Sequence, residues 1–204
     1  MSHRPRIAVF ISGGGSNLQS LIDASRDGRL KADIVLVVSS KLKAFGLQRA
    51  AKADIDTFVF RLKDYPDPEA AETDLIEKLD AYDIDYIALA GYLKLLPASV
   101  VKKYRNCIIN IHPALLPKYG GQGMYGHFVH EAVIASGDKV SGPTVHIVDE
   151  IYDNGRILMQ EEVPVMPDDT SETLAARVLE AEHRIYPQAL QKLIEEQQVR
   201  SRGS

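Results

Sequence analysis

A chain of 204 residues can bury one sizeable core, and we expect a single domain over residues 1–204 with flexible ends at 1–5 and about 198–204. The composition, with 45% apolar and 25% charged residues, is typical of a globular protein in water. The net charge of −4 argues against a broad electrostatic grip on nucleic acid. The lone Cys107 excludes an internal disulfide, and the apolar runs are too short for a membrane span, so we expect a cytoplasmic protein.

The first part of the chain alternates strand-like apolar runs with segments of helical period. Buried strands are predicted at Ile7–Ile11, Ile34–Val38, Thr57–Phe60, Tyr86–Ala90 and Cys107–Asn110. Helices are predicted at Ser16–Asp27, Phe45–Ala53 and Pro68–Ala81. Such alternation is typical of βαβ units, so the sequence predicts an α/β fold with a mainly parallel sheet and helices on both faces.

The pattern changes after the fifth strand. A glycine-rich loop, Lys118–Gly126, precedes a predicted helix at His127–Ala135. Two longer strands are predicted at Val140–Val148 and Ile157–Val165, joined through Asp149–Arg156. Strands so close together in sequence favour an antiparallel pair, so we expect the C-terminal part of the sheet to be antiparallel.

The last predicted element is a long helix. Asp169 precedes Glu172 by three residues, which is a helix-start signal. The helical period runs to about Glu196, and Pro187 predicts an interruption or kink within it.

The segment Asn110-Ile111-His112-Pro113 closes the fifth predicted strand. In extended backbone, residues i and i+2 share a face, so Asn110 and His112 are expected to point the same way. The carboxyl ends of strands in open α/β sheets are where ligands bind. A donor amide beside a titratable ring suggests stabilisation of a developing negative charge together with proton transfer.

A second motif, Ser12–Asn17, joins the first strand to the first helix through three glycines. Glycines let the backbone turn tightly and approach a ligand closely. Ser16 or Asn17 can cap the helix, whose first amides form an anion site, so a single phosphate is the expected guest. A tight turn without a ligand is the alternative.

Other polar residues are less informative alone. Asp149 and its neighbours form an acidic turn in which each carboxylate is expected to be solvated. His146 is interpreted as a core or supporting histidine, and Cys107 as a buried strand thiol rather than a nucleophile. His127 and His130 lie three residues apart, but no Cys or carboxylate completes a metal set, so we expect no metal site.

Six segments together resemble the phosphoribosylglycinamide formyltransferases of the formyltransferase superfamily. They occur in the family's order and extend over nearly the whole chain. The segments are Ile11–Gln19, Leu89–Tyr92, Asn110–Pro117, Gly142–Val148, Asp153–Gly155 and Glu182–Pro187. The resemblance implies a Rossmann-like formyltransferase fold and a folate-dependent enzyme of purine synthesis.

The resemblance also implies catalytic roles. The amine of phosphoribosylglycinamide would attack the formyl carbon of 10-formyltetrahydrofolate directly, and Asn110, His112 and Asp153 would surround the tetrahedral intermediate. Asn110 would donate to the oxyanion, and His112 would donate as a cation and move protons. Asp153 would hold His112 and raise its pKa.

Substrate contacts follow by the same resemblance. Gly15, Ser16 and Asn17 would hold the ribonucleotide phosphate, and Glu182 would meet the ribose hydroxyls. The folate pterin would lie along Leu93, Lys94, Leu95, Leu96 and Asn110. The implied partners are these small molecules, with no nucleic acid and no membrane, and the protein is expected to be a monomer or a homodimer.

Two departures from the family pattern stand out. Pro68 occupies a position where the family often has an Arg that meets the folate tail, and Arg61 or Lys63 is the candidate substitute. The Tyr119–Gly126 loop is longer and richer in glycine than usual.

The competing interpretations are a formyltetrahydrofolate hydrolase, a methionyl-tRNA formyltransferase and a nucleotide-binding sensor without catalysis. The hydrolase usually has an extra N-terminal domain, and the tRNA enzyme a further C-terminal domain and a basic character.

Overall fold

The computed structural model describes residues 4–151 and 153–202 of the chain. The strands are β1 (Arg6–Ile11), β2 (Asp33–Ser39), β3 (Asp56–Val59), β4 (Tyr86–Leu89), β5 (Ile108–His112), β6 (Val140–Ser141), β7 (Thr144–Ile147), β8 (Ile157–Gln160) and β9 (Val163–Pro164). The helices are α1 (Ser16–Arg26), α2 (Phe45–Lys52), α3 (Pro68–Ala81), α4 (Ala98–Lys103), α5 (His127–Ser136) and α6 (Ser171–Arg202).

The main sheet has seven strands in the order β3-β2-β1-β4-β5-β7-β8. The pairs among β1 to β5 are parallel, whereas β7 runs antiparallel to β5 and β8 antiparallel to β7. The strands β6 and β9 form a separate antiparallel pair. The predicted Rossmann-like α/β fold with an antiparallel C-terminal part is therefore confirmed.

Helices cover both faces of this sheet, as predicted. Successive side chains of a strand point to opposite faces, and β1 follows this rule: Ile7 and Val9 join one buried cluster while Ala8 and Phe10 join another. The first cluster receives α1, α2 and α6, and the second receives α3 and α4. Both faces of β1 are thus removed from water, which explains its continuous apolar sequence.

The two long predicted strands are each divided in two. Gly142 and Pro143 separate β6 from β7, and Glu161 and Glu162 separate β8 from β9. Gly142 has φ +144°, and a Cβ built there would lie 1.8 Å from the carbonyl oxygen of Glu161. Backbone this close leaves room only for glycine, so the ladder breaks here and β6 pairs with β9 outside the main sheet.

The helix α6 runs unbroken to Arg202, so the predicted end at about Glu196 is wrong, and so is an interruption at Pro187. The alternative of a kink at Pro187 stays a prediction. Packing overrides the proline, since Tyr186, Ala189, Leu190 and Leu193 on the same helix are all fully buried.

Two further differences concern a helix and the ends of the chain. The short helix α4 after Pro97 was not predicted. The predicted flexible ends fall partly outside the described residues. Within the described part, Arg4 pairs with Asp33 at 2.8 Å and residue 202 is still helical.

Candidate active site

The carboxyl end of β5 opens into a cavity of about 730 Å³. Asn110 and His112 both line this cavity, as does Asp153 from the loop between β7 and β8. His112 is the last residue of β5, and the chain then turns through Pro113. The structure therefore brings the three predicted catalytic residues together.

His112 is held through both ring nitrogens. Its Nε2 lies 2.7 Å from the carbonyl oxygen of Tyr119, and its Nδ1 lies 3.5 Å from Oδ2 of Asp153. Because a carbonyl oxygen only accepts hydrogen bonds, Nε2 must carry a proton. The second proton of a cationic His112 ring would then lie on Nδ1, beside the carboxylate.

The net pKa of His112 differs from expectation. Burial lowers the pKa of His112, and the Asp153 carboxylate and the Tyr119 carbonyl oppose that shift without cancelling it. The predicted contribution of Asp153 is present, since its carboxylate raises the pKa of His112, but burial outweighs it and the net shift is downward. Only 3% of the His112 surface is exposed, so desolvation of the cation is the larger effect.

Asp153 is stabilised as a carboxylate. Burial by itself would raise the pKa of Asp153, but His146, His112 and the Gly121 amide together lower it. The Gly121 N–H donates to Oδ2 at 2.9 Å, and His146 Nε2 lies 3.4 Å from Oδ1. A carboxylate fixed by three neighbours is a preorganised partner for an imidazolium.

His146 supports the site from the neighbouring strand, a role that sequence reasoning left undecided. The β5–β7 register places it opposite Asn110, and its Nε2 lies 3.2 Å from Asn110 Nδ2. Its Nδ1 lies 2.9 Å from the carbonyl oxygen of Ile147, so Nδ1 carries the proton. His146 Nε2 therefore contacts both the Asn110 amide and the Asp153 carboxylate, and these contacts fix the position of the Asn110 side chain.

A second polar pair lies at the α1 side of the same cavity. Asn17 Nδ2 donates to Glu182 Oε2 at 2.5 Å, although the two residues are 165 positions apart. Burial raises the pKa of Glu182 to about 7, partly offset by the Asn17 hydrogen bond. Of the four predicted ribonucleotide contacts, Asn17 and Glu182 thus lie together at the wall of the large cavity, whereas Gly15 and Ser16 do not line it.

The glycine loop differs in detail from the prediction. Gly15, with φ +70°, precedes the first residue of α1, and neither Ser16 nor Asn17 caps the helix. A Cβ at Gly15 would lie 2.7 Å from the Cα of Gly46, so the loop packs closely against α2. Ser16 lines a separate cavity of about 330 Å³.

The predicted folate residues are divided between two cavities. Leu93 and Lys94 line the large cavity, whereas Lys94, Leu95 and Leu96 line an adjoining cavity of about 330 Å³. Asn110 and Asp153 line both cavities, whereas His112 lines the large one alone. Sequence reasoning missed the other lining residues of the adjoining cavity, which include Tyr92, His146, Val148, Asp149, Glu150 and Ile151.

Arg61 and Lys63, the candidate substitutes for the family arginine at the position of Pro68, do not line these cavities. Pro68 begins α3, where Asp67 caps the helix by accepting from the Ala70 N–H. Arg61 pairs with Asp64 at 2.5 Å, and neither it nor Lys63 lines the large or the adjoining cavity. The glycine-rich loop does line the large cavity, from Gly121 to Gly126.

Metal-ligating groups and membrane-spanning helices were searched for among the described residues. Over 4–151 and 153–202, no group of three His, Cys, Asp or Glu side chains is arranged to hold a metal. Across the same residues, no helix is long and apolar enough to cross a bilayer.

Burial raises the pKa of the Cys107 thiol, which favours a structural role. His127 and His130 both line the large cavity.

Known proteins resemble this chain over most of its length. The model of the family described as formyl transferase matches residues 5–190. A chloroplastic phosphoribosylglycinamide formyltransferase of Vigna unguiculata is 47% identical over 194 residues, which cover 95% of this chain and 62% of that protein. This chain therefore spans less than two thirds of the Vigna protein's length.

Two bacterial proteins match over most of both chains. A phosphoribosylglycinamide formyltransferase of Haemophilus influenzae is 41% identical over 182 residues, covering 89% of this chain and 84% of that protein. The crystal structure of a phosphoribosylglycinamide formyltransferase from Brucella melitensis has a TM-score of 0.86 and 48% identity, covering 93% of this chain and 95% of that one.

Proposed function

Because this chain belongs to the formyl transferase family, and within it to the phosphoribosylglycinamide formyltransferases, we propose that it transfers the formyl group of 10-formyltetrahydrofolate to the amine of 5'-phosphoribosylglycinamide. The reaction belongs to purine biosynthesis, and we place it in the cytoplasm. The observation that carries the proposal is the meeting of Asn110, His112 and Asp153 at the large cavity, with Asn110 and Asp153 also lining the adjoining one. The large cavity suits the ribonucleotide, and the adjoining cavity suits the folate.

The two spaces differ in chemistry. The large cavity contains the Asn17–Glu182 pair, which offers oxygen and nitrogen atoms to ribose hydroxyls. The adjoining cavity is bordered by apolar side chains such as Leu96 and Val148 together with Asp149. An aromatic pterin with polar edges fits that mixture. The glycinamide amine and the formyl carbon would then meet beside Asn110.

The reaction needs no nucleophile from the enzyme. The amine nitrogen attacks the formyl carbon, a C–N bond forms, and the carbonyl electrons move to oxygen. Asn110 would donate its amide N–H to that oxyanion, in an orientation that His146 fixes. The intermediate collapses when the bond to folate N10 breaks.

Proton transfer falls to His112. The attacking amine must lose one proton and folate N10 must gain one, so a single titratable group can serve both steps. Asp153 Oδ2, at 3.5 Å from Nδ1, would stabilise the imidazolium that forms in between. Release of Nε2 from the Tyr119 carbonyl would turn its N–H towards the substrates.

A donor-consumption assay tests this function. We expect purified protein to convert 10-formyltetrahydrofolate to tetrahydrofolate only when phosphoribosylglycinamide is present. Equal consumption without the ribonucleotide would identify a hydrolase. Ribonucleotide binding without any consumption would identify a sensor.

A further inference from the structure

A serine hydroxyl joins two segments that the proposed function assigns to different substrates. Ser12 follows β1 and begins the glycine loop, and its Oγ accepts a hydrogen bond from the Leu93 N–H at 2.9 Å. Leu93 begins the segment assigned to the folate and lies 81 positions further along the chain. No step of the proposed reaction uses this contact.

The contact lies where the strand order of the sheet reverses. The strand β1 lies between β2 and β4, so the chain first extends the sheet on one side of β1 and then continues on the other. Loops that follow the strands on the two sides of such a point enclose the ligand crevice. Ser12 follows β1 and Leu93 follows β4, so their hydrogen bond connects the two loops of this crevice.

The Ser12 hydroxyl is buried, and both of its hydrogen-bonding functions are used. Ser12 is only 1% exposed, and its Oγ lies 2.6 Å from the Oγ of Ser40, which follows β2. We assign the Ser12 hydroxyl as the donor to Ser40, because the reverse direction would leave a buried O–H of Ser12 without a partner. A hydroxyl that accepts and donates at once is held in one orientation, and each bond strengthens the other.

The folate segment depends on this hydroxyl for its backbone position. Just before it, the Tyr92 ring packs edge-on against Phe10, with 5.3 Å between the ring centroids. Beyond Tyr92, the side chains give little support, because Leu93 is 49% exposed and Leu95 is 60% exposed. The hydrogen bond from the Leu93 N–H to Ser12 therefore ties the start of an otherwise exposed segment to the core.

The glycine loop on the other side of Ser12 is also held through its backbone. Gly13 and Gly14 are exposed, and the Gly13 carbonyl accepts a hydrogen bond from the Gly46 N–H at 3.0 Å. A ribonucleotide bound to this loop would restrict its backbone. A ligand that orders one segment lowers the entropy cost of ordering a segment tied to it, so the second ligand binds more tightly.

We propose that Ser12 is a positioning residue that couples the two substrate sites, so that a bound ribonucleotide raises the affinity for the folate. The inference rests on the proposed function, which assigns the ribonucleotide to the glycine loop and the folate to the segment that starts at Leu93. Ser12 acts through the Leu93 N–H and the loop backbone. Because coupling between two binding sites is reciprocal, the folate raises the affinity for the ribonucleotide by the same factor.

Calorimetry of the two ligands, each alone and both together, measures this coupling. Tetrahydrofolate has no formyl group to transfer, so it can be titrated into the protein with or without phosphoribosylglycinamide. In the wild type, the ribonucleotide should lower the Kd of tetrahydrofolate by at least about fivefold, the lower end of ordinary coupling. In Ser12→Ala this factor should fall below about twofold, and the Kd of the ribonucleotide alone should change by less than about twofold.

Two further serine variants complete the test. Ser40→Ala keeps the contact between Ser12 and Leu93 and removes only the acceptor of the Ser12 proton, so it should lose part of the coupling. It also keeps the inference testable if Ser12→Ala does not fold. Ser39→Ala is the matched control, because Ser39 is fully buried at the end of β2 but its hydroxyl donates to the Lys41 carbonyl at 2.8 Å. This variant should keep the wild-type coupling factor.

The outcomes separate this inference from the proposed function. Formyl transfer by the wild type, together with coupling that Ser12→Ala and Ser40→Ala leave intact, overturns the inference alone. Coupling that is lost in Ser12→Ala, in a wild type that binds both ligands but transfers no formyl group, supports the inference and contradicts the proposed function. Independent binding of the two ligands to the wild type overturns the inference, as does an equal loss of coupling in Ser39→Ala.

Discussion

At the scale of single residues, Asp153 contacts two histidines at once. Its Oδ2 lies 3.5 Å from His112 Nδ1, and its Oδ1 lies 3.4 Å from His146 Nε2. The backbone at Asp153 has φ +52°, in the left-handed region that few non-glycine residues adopt. A costly local conformation that aims a carboxylate at two imidazoles is typical of a functional position.

Replacing Asp153 by Asn should reduce kcat on the order of a hundredfold or more, as loss of a preorganised charge partner in an active site does. The amide cannot stabilise an imidazolium at His112 Nδ1, whereas the KM values for both substrates should change little. Asp64→Asn, which removes an exposed ion pair with Arg61, is the matched control and should retain full activity. Near-normal turnover in Asp153→Asn would remove the assigned role.

Glu182 makes stability depend on pH. Its folded-state pKa is about 7, against roughly 4.3 for an ordinary Glu. Between these values the folded protein holds a proton that the unfolded chain has lost, so stability falls as pH rises through this window. Above pH 7 the buried Glu182 is ionised in the folded protein, and the full desolvation cost of its carboxylate lowers the folding stability.

Glu182→Gln should therefore gain stability relative to the wild type between pH 5 and pH 8, by about 2 kcal/mol on the scale of 1.4 kcal/mol per pKa unit. Urea unfolding at the two pH values measures this difference. The exposed Glu131→Gln is the control and should follow the wild type. A constant offset between Glu182→Gln and the wild type at both pH values would contradict the buried, protonated Glu182.

At the scale of elements, the loop before α5 is tied to the catalytic residues. The Tyr119 carbonyl accepts from His112, and the Gly121 amide donates to Asp153. The Tyr119 hydroxyl in turn reaches Ser136 at 2.6 Å, at the end of α5. The position of this loop and the state of His112 are therefore linked.

The break between β6 and β7 gives a prediction at the same scale. Gly142→Ala should destabilise the protein by about 2 kcal/mol or more, because φ is +144° and the new Cβ would meet the Glu161 carbonyl. Gly137→Ala is the control: φ is also positive, at +74°, but the space is open, so about 1 kcal/mol is expected. Urea unfolding would contradict this account of the break if both variants lost equal stability.

At the scale of the whole molecule, local patterns predicted most of the fold. The alternation of apolar runs and helical periods was enough to predict the parallel strands β1 to β5 and the helices α1 to α3. The break at Gly142 was missed because it depends on contact with Glu161, 19 positions away. The continuation of α6 through Pro187 likewise depends on burial against the sheet.

The site was less accessible to local reasoning. Asn110 and His112 could be paired from strand geometry, but Asp153 and Glu182 were named only through the family resemblance. Their partners, Gly121 and Asn17, lie 32 and 165 positions away. His146 became informative only when the antiparallel register placed it opposite Asn110. Contacts made by folding over long sequence separations are what sequence patterns alone do not contain.

The central claim is that a formyl carbon passes directly from folate to the ribonucleotide amine. The fate of a ¹³C label in the formyl group of 10-formyltetrahydrofolate, followed by NMR with both substrates present, tests it most directly. The account predicts that all of the label appears in the N-formyl group of the phosphoribosyl product, in step with tetrahydrofolate. Label released as free formate would contradict it.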